Sequence, residues 1–349
     1  MTDARPKPTL KDIARLSEAS PSTVSAVLSG TWKLRRISEP LAERIRAIAH
    51  AEGYKANRQA RGLRRGRSDM VGLILPMHDN RFFAATAQSF EAEARKRNLC
   101  PVVVSTLRDP AEERRTAERL ISYAVDSLVI AGASDPAAVG AACRAAGVAH
   151  VYVDLPGHDA PSVVSDNREG ARRLARTLLE RMPRDGGGPR GRAYFVGGLA
   201  GDHATAGRIR GFREALAEAG LPAGDEQVIA QSYAPSRAAQ ELARLSARLG
   251  GLPAALFINS LTVFEGAMTH FAALAPPDFD RTAVGCYDYD PIASFLPFPV
   301  HMVRQDSEAM IAQAFDLIDD GAQGGRVIEV PPLQVAPRTL VATPFPDLG

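Results

Sequence analysis

The 349-residue chain has little cysteine. Cys100, Cys143 and Cys286 are widely spaced and odd in number, which fits neither a disulfide framework nor a cysteine metal site. They read as reduced, structural thiols. Long apolar runs are also missing. The longest, "MVGLILPM", is far too short to span a bilayer. The first ten residues, "MTDARPKPTL", hold no apolar segment such as a secretory leader needs, so a cytoplasmic protein with no membrane partner is expected. No P-loop, no dinucleotide fingerprint and no nucleophile–base motif appears, which argues against a sugar kinase or a dehydrogenase. The stretch "RDGGGPRGR" (184–192) is rich in Gly, but it lacks the Gly-Lys-Ser/Thr ending and precedes a strand, where a P-loop follows one. It reads as a surface connection. No metal ligand set is evident, and no cofactor is expected.

What is present is an uneven distribution of charge. The whole chain carries +2, but residues 1–68 carry +9 and the remainder −7. A small basic head on a mildly acidic body is the footprint of a polyanion-binding module joined to something else. The head shows helical punctuation. Thr9 with Asp12 three residues on makes a capping box, followed by Leu10, Ile13, Ala14 and Leu16 as an apolar side. Ser20 caps a second helix, Pro21 suits its first position and Gly30 its stop. Val24, Val27 and Leu28 face inward there, leaving Pro21, Ser22, Thr23, Ser25 and Ala26 as a small outward face. A third helix begins near Ser38, with Leu41, Ile45, Ile48 and Ala49 inward. Two short helices, a tight turn and a third helix make a helix-turn-helix, whose slim second helix lets backbone approach base edges in a major groove.

From residue 71 the pattern alternates short apolar strands with amphipathic helices, and it restarts after "SVVSD" (162–166). Two such series predict two lobes with parallel sheets and ligands at the carboxyl ends of the strands. Polar residues stand at those ends: Asp154 after "VYV", Asn259 after "ALFI" and Asp288 after "VGCY", while Arg208 lies in "GRIRGF" at the start of a helix. Carboxylate, amide and guanidinium together suit the hydroxyls of a sugar, and Phe82, Phe83 and Tyr233 suit its apolar face.

"TLKDIARLSEASPSTVSAVLSG", "GYKANRQARGLRRGRS" and "VGLILP" together resemble the LacI/GalR family of bacterial transcriptional repressors, in particular its fructose-repressor branch, through the long loop "TWKLRRI" and "ALFINSLTVFEGAM". Glu18 departs from the glycine usual in the family's turn. The resemblance implies a helix-turn-helix head (1–56), a hinge helix or linker (57–69) and a periplasmic-binding-protein-like body of two Rossmann-like lobes. These lobes are 70–165 plus 299–323 and 166–298 plus 324–349. It implies that Thr9, Pro21, Ser22, Thr23, Ser25 and Ala26 face operator DNA, with Lys33, Arg35 and Arg36 near its phosphates. It implies that Asn57, Arg58, Ala60, Arg61, Leu63 and Arg64 form a hinge on the minor groove, Leu63 being the wedge between base steps. In the body it implies that Arg208 holds an effector lined by Phe82, Phe83, Asp154, Tyr233, Asn259 and Asp288.

The fructose-repressor likeness implies a sugar phosphate such as fructose 1-phosphate, for which His203, Arg210 and Arg304 are further positive candidates; a neutral sugar stays open, and a purine is less suited. No heptad tail follows "PFPDLG", so a homodimer is expected on a pseudo-palindromic duplex. The alternative, a sugar-binding transport protein, fits the body but not the basic head.

Overall fold

A computed structural model of the chain describes residues 8–54, 67–158, 160–183 and 188–337, with the backbone alone at 276–277. The chain forms two compact units, a head that ends at Ser68 and a body that starts at Asp69.

The head holds α1 (Leu10–Leu16), α2 (Pro21–Leu28) and α3 (Glu39–Ala51). The capping box of α1 is complete: Asp12 N–H donates to Thr9 Oγ1 at 3.3 Å, and Thr9 N–H donates to Asp12 Oδ2 at 2.9 Å. At α2, Thr23 N–H donates to Ser20 Oγ at 3.1 Å, and Pro21 fills the first turn. Ile13, Ala14, Val24, Val27, Ala42, Ile45 and Ala49 form the core. Two expectations are corrected. Leu16 is 43% exposed; the place one turn beyond Ile13 belongs to buried Ser17, whose hydroxyl donates to Ile13 O at 2.7 Å. Ala26 is buried rather than outward, because the chain after α2 folds back and Thr31 N–H donates to Ala26 O at 3.0 Å. In the turn, Glu18 takes φ 52°, the left-handed conformation that glycine adopts without strain.

The body contains two six-stranded sheets. The first runs Val327–Val330, Ser162–Ser165, Ala149–Val153, Ser127–Ala131, Met70–Leu75, Cys100–Ser105, parallel throughout. The second runs Leu333–Val335, Val300–Arg304, Ala283–Tyr287, Ala255–Ile258, Ala193–Val196, Val228–Ile229, with only the first of these antiparallel. Both have helices on two faces and apolar strand residues buried on each side, as parallel sheets require. Each buried Phe, Leu or Val contributes about 1.5–3 kcal/mol. Helices follow strands at Asp or Asn caps: Asn80, Asp109, Asp135, Asp166 and Asp306 each accept from backbone N–H groups of the first turn.

The expected lobe boundaries shift. Val300–Arg304 belongs to the second sheet, paired with Ala283–Tyr287, and Val327–Val330 to the first, paired with Ser162–Ser165. The last two lobe crossings therefore lie at 305–306 and 331–332, not at 298 and 324. Strand pairing decides this. The stretch "LPFPV" (296–300) leads into the strand Val300–Arg304 and does not cross between lobes. The stretch 228–232 holds two short strands: Val228–Ile229 joins the large sheet, while Gln231–Ser232 pairs antiparallel with Gly198–Leu199.

Candidate DNA-binding head and effector cleft

In the head, the amino end of α2 presents a hydroxyl cluster. Ser20 Oγ lies 2.7 Å from Ser22 Oγ and 2.8 Å from Thr23 Oγ1. Pro21 and Ser22 are exposed, and Thr23 and Ser25 half-buried. Thr9 is committed to its capping box, whose hydrogen bond from the Thr9 hydroxyl holds the Asp12 carboxyl below its usual range. Lys33, Arg35 and Arg36 are exposed on the loop after α2. Of the expected recognition face, only Ala26 is withdrawn into the core. Asn57, Arg58, Ala60, Arg61, Leu63 and Arg64 lie outside the described residues.

In the body, the polar strand ends converge. Arg208 sits on the helix His203–Glu218 and is 3% exposed. Its Nε donates to Asn167 Oδ1 at 2.8 Å and its Nη1 to Asn259 O at 2.6 Å. Its guanidinium lies 3.8 Å from the centre of the Tyr287 ring, a desolvated cation–π contact. Burial works against its charge, yet Asp288, Tyr287, Tyr233 and Asp154 more than compensate, and its pKa is raised. Asp154 comes from the first lobe and Asp288 from the second, each directly after a strand and each at a positive φ, 75° and 82°. Non-glycine residues rarely adopt this backbone, and Asp, like Asn, is among the few that do so at low cost. Burial pushes the Asp154 carboxyl up to about 6, against the attraction of Arg208; Asp288 raises it further and Arg108 lowers it. Burial likewise raises Asp288, opposed by Arg208 and by Gln305, whose Nε2 donates to Asp288 Oδ1 at 2.7 Å.

The remaining predicted residues fall around this centre. Asn259 is fully buried, and its Nδ2 donates to Thr205 Oγ1 at 3.3 Å. Thr205 Oγ1 in turn lies 2.7 Å from Tyr233 Oη. Phe82 and Phe83 start the helix Arg81–Lys96 under the Asn80 cap, with ring centres 5.1 Å apart. Phe83 meets the centre through Arg108, whose guanidinium lies 5.9 Å from the Phe83 ring and 5.8 Å from that of Tyr233, so one arginine spans both lobes. Phe82 lines a cavity of about 300 Å³ with Asp288 and Gln305. Among the described residues of this centre, two buried amide oxygens have no hydrogen-bond partner: Asn259 Oδ1 and Gln305 Oε1.

Sequence reasoning missed Asn167, Thr205, Tyr287, Gln305 and Arg108. Gln305 follows a strand end as Asp154 and Asp288 do, and that signal finds it once Val300–Arg304 is placed in the second lobe. Arg108 sits in a loop with Leu107, both at positive φ, and nothing local in the sequence marks it.

A helix-turn-helix head joined to a two-lobe body with a buried polar site between the lobes defines a ligand-controlled DNA-binding regulator. Comparison with known proteins agrees. Residues 9–57 match the model for bacterial regulatory proteins of the lacI family, and residues 71–293 that for the periplasmic binding protein domain. The chain belongs to the lacI family of bacterial regulatory proteins, with a periplasmic binding protein domain as its body. The ribitol operon repressor of Klebsiella aerogenes is 45% identical over 178 residues, covering 51% of this chain and 66% of that protein. The catabolite repressor/activator of Escherichia coli (strain K12) is 26% identical over 324 residues, covering 88% and 90%. The fold is shared with the lac repressor dimer bound to operator and the anti-inducer ONPF, at a TM-score of 0.77 and 18% identity over 96% of this chain and 99% of that one.

Proposed function

We propose that the chain is a homodimeric repressor whose operator affinity is set by a neutral polyhydroxylated ligand, a sugar or sugar alcohol, held between Asp154, Arg208, Asn259, Asp288 and Gln305. The observation that carries this is the excess of acceptors. Two carboxylates and two unpartnered amide oxygens are buried together, and they require donors. Hydroxyl groups donate; a phosphate dianion only accepts. Arg208, the one buried arginine among the described residues, already donates to Asn167 and Asn259 and feels the charge of two carboxylates. Arg304, a candidate for a phosphate, shares its cavity with Asp288, Asp306 and Glu308. The likeness to a ribitol operon repressor supports starting with pentitols. The chain acts as a binder rather than a catalyst, and its DNA target places its work in the cytoplasm.

The mechanism is differential affinity. Ligand contacts come from both lobes, so the ligand favours one lobe arrangement, and DNA favours another through the hinge 57–69, where Leu63 acts as wedge. Calorimetry on the full chain with ribitol, sucrose, fructose and fructose 1-phosphate tests the ligand class. A neutral polyol is expected to bind and to release a duplex selected by the chain from a random library. A phosphate ester that binds more than about tenfold tighter than its parent sugar would sink the neutral-ligand reading.

The dimer reading is supported by an exposed apolar pair on the short helix Pro291–Phe295. Ile292 is 63% and Phe295 73% exposed, beside a cavity of about 590 Å³ whose apolar lining of Phe264 and Met268 is rimmed by Asp79, Arg81, Glu265 and Asp290. Two exposed apolar side chains of this size gain from being covered by a second copy. Phe295→Asp is expected to give a monomer in analytical ultracentrifugation at concentrations where the parent chain is a dimer. An unchanged sedimentation coefficient would place the dimer face elsewhere.

A further inference from the structure

The loop between α2 and α3 holds its shape firmly for a surface segment. Arg35 N–H donates to Trp32 O at 3.2 Å, Arg36 N–H to Lys33 O at 3.1 Å and Ile37 N–H to Trp32 O at 3.1 Å. Its start is tied to α2 by the bond from Thr31 N–H to Ala26 O. Trp32 packs on the head core, with Lys33 Nζ 5.4 Å and the Arg46 guanidinium 5.3 Å from its ring centre. Arg36 closes the turn at φ 54°.

What this fixed loop holds outward is Leu34, 87% exposed and the most exposed large apolar side chain among the described residues. The head core is complete without it. Lys33, Arg35 and Arg36, all exposed, stand on either side. An apolar tip set among three cations is poorly matched to an apolar protein face, where the cations would lose their water unpaired. It matches a surface that alternates anionic and apolar groups. The edge of a DNA groove is such a surface, with deoxyribose between successive phosphates.

We propose that Leu34 is a DNA contact, docking on the deoxyribose edge of a groove while Lys33, Arg35 and Arg36 hold the flanking phosphates. This rests on the reading of the head as a DNA binder. It adds to the recognition face of α2 a second, apolar contact that contributes affinity without drawing on charge.

The test uses the full chain, a duplex that it selects from a random library, and fluorescence anisotropy across a salt series. Leu34→Ser is expected to weaken binding about tenfold, the order that loss of one buried leucine contact implies. The salt slope should not change, because no cation is removed. Leu34→Met should bind within about twofold of the parent chain, since an apolar side chain of similar size remains. Arg35→Gln is the contrast: it should flatten the salt slope by about one. Circular dichroism melts should coincide for all four proteins, since both side chains are exposed. If Leu34→Ser binds as the parent does, or weakens binding only together with a flatter slope, the Leu34 proposal is overturned while the regulator reading stands. If the parent chain selects no duplex, the regulator reading itself fails.

Discussion

Arg208→Met is expected to abolish the response to ligand and to destabilise the body by about 3–5 kcal/mol, the usual result of stripping a buried charge of its partner. The size follows from what the arginine leaves behind. Asp154 and Asp288 are buried within its field, and burial already raises both. Asn167 and the Asn259 carbonyl would each lose a charge-assisted donor, and the Tyr287 ring its cation. Urea unfolding of the ligand-free chain measures the loss. A second variant separates charge from packing: adding Asp154→Asn and Asp288→Asn to Arg208→Met removes the stranded charges and should recover most of the stability, but not the ligand response. Arg208→Lys should keep most of the stability while weakening ligand binding, because an ammonium cannot reproduce the planar stack on Tyr287 or donate in two fixed directions. A stability of Arg208→Met equal to that of the parent chain would mean that the carboxylates are not held by this arginine.

The parts of this fold that were legible in the sequence are those written locally. The capping box at Thr9, the Ser20 cap with Pro21, and the Asp caps after strands are each spelled within four residues, and the helices start there. Strand ends were legible for the same reason, and so Asp154, Asn259 and Asp288 stand out without any knowledge of the contacts among them. The burial of Ala26 was hidden because it depends on the loop that folds back from Thr31, not on helical spacing. Lobe membership was hidden because it rests on strand pairing across long stretches of chain: Val327 lines up with Ser162 and Met302 with Val335. Arg108 lay beyond reach because its role exists only once Phe83 and Tyr233, from different lobes, face each other. A residue that reads two lobes at once has no local signature.

Asp154→Asn is expected to make the ligand-free body more stable at pH 8 and to remove most of the ligand response. At pH 8 the carboxylate is ionised in both folded and unfolded chains. The folded state bears the extra cost of keeping it buried, which the rise from an ordinary 3.8 to about 6 expresses. That shift corresponds to ~3 kcal/mol, which the neutral amide does not incur. Well below pH 3.8 the parent side chain is protonated in both states, and the difference should vanish. Relative to the variant, the parent chain therefore gains stability as pH falls from 6 towards 4. Urea unfolding of both proteins at pH 8 and pH 4.5 measures this; a gap that widens on acidification would show that the carboxylate is held by attraction to Arg208 more than it is opposed by burial. The same group gives ligand binding its pH dependence. An ionised Asp154 accepts from hydroxyls at both oxygens, whereas the protonated form can turn one into a donor. Affinity for a polyol should then rise between pH 5 and pH 7 and flatten above, and the Asp154→Asn variant should bind weakly with no such rise. Stability given up at Asp154 is thus the cost of an acceptor kept charged and poorly solvated until a hydroxyl-bearing ligand arrives.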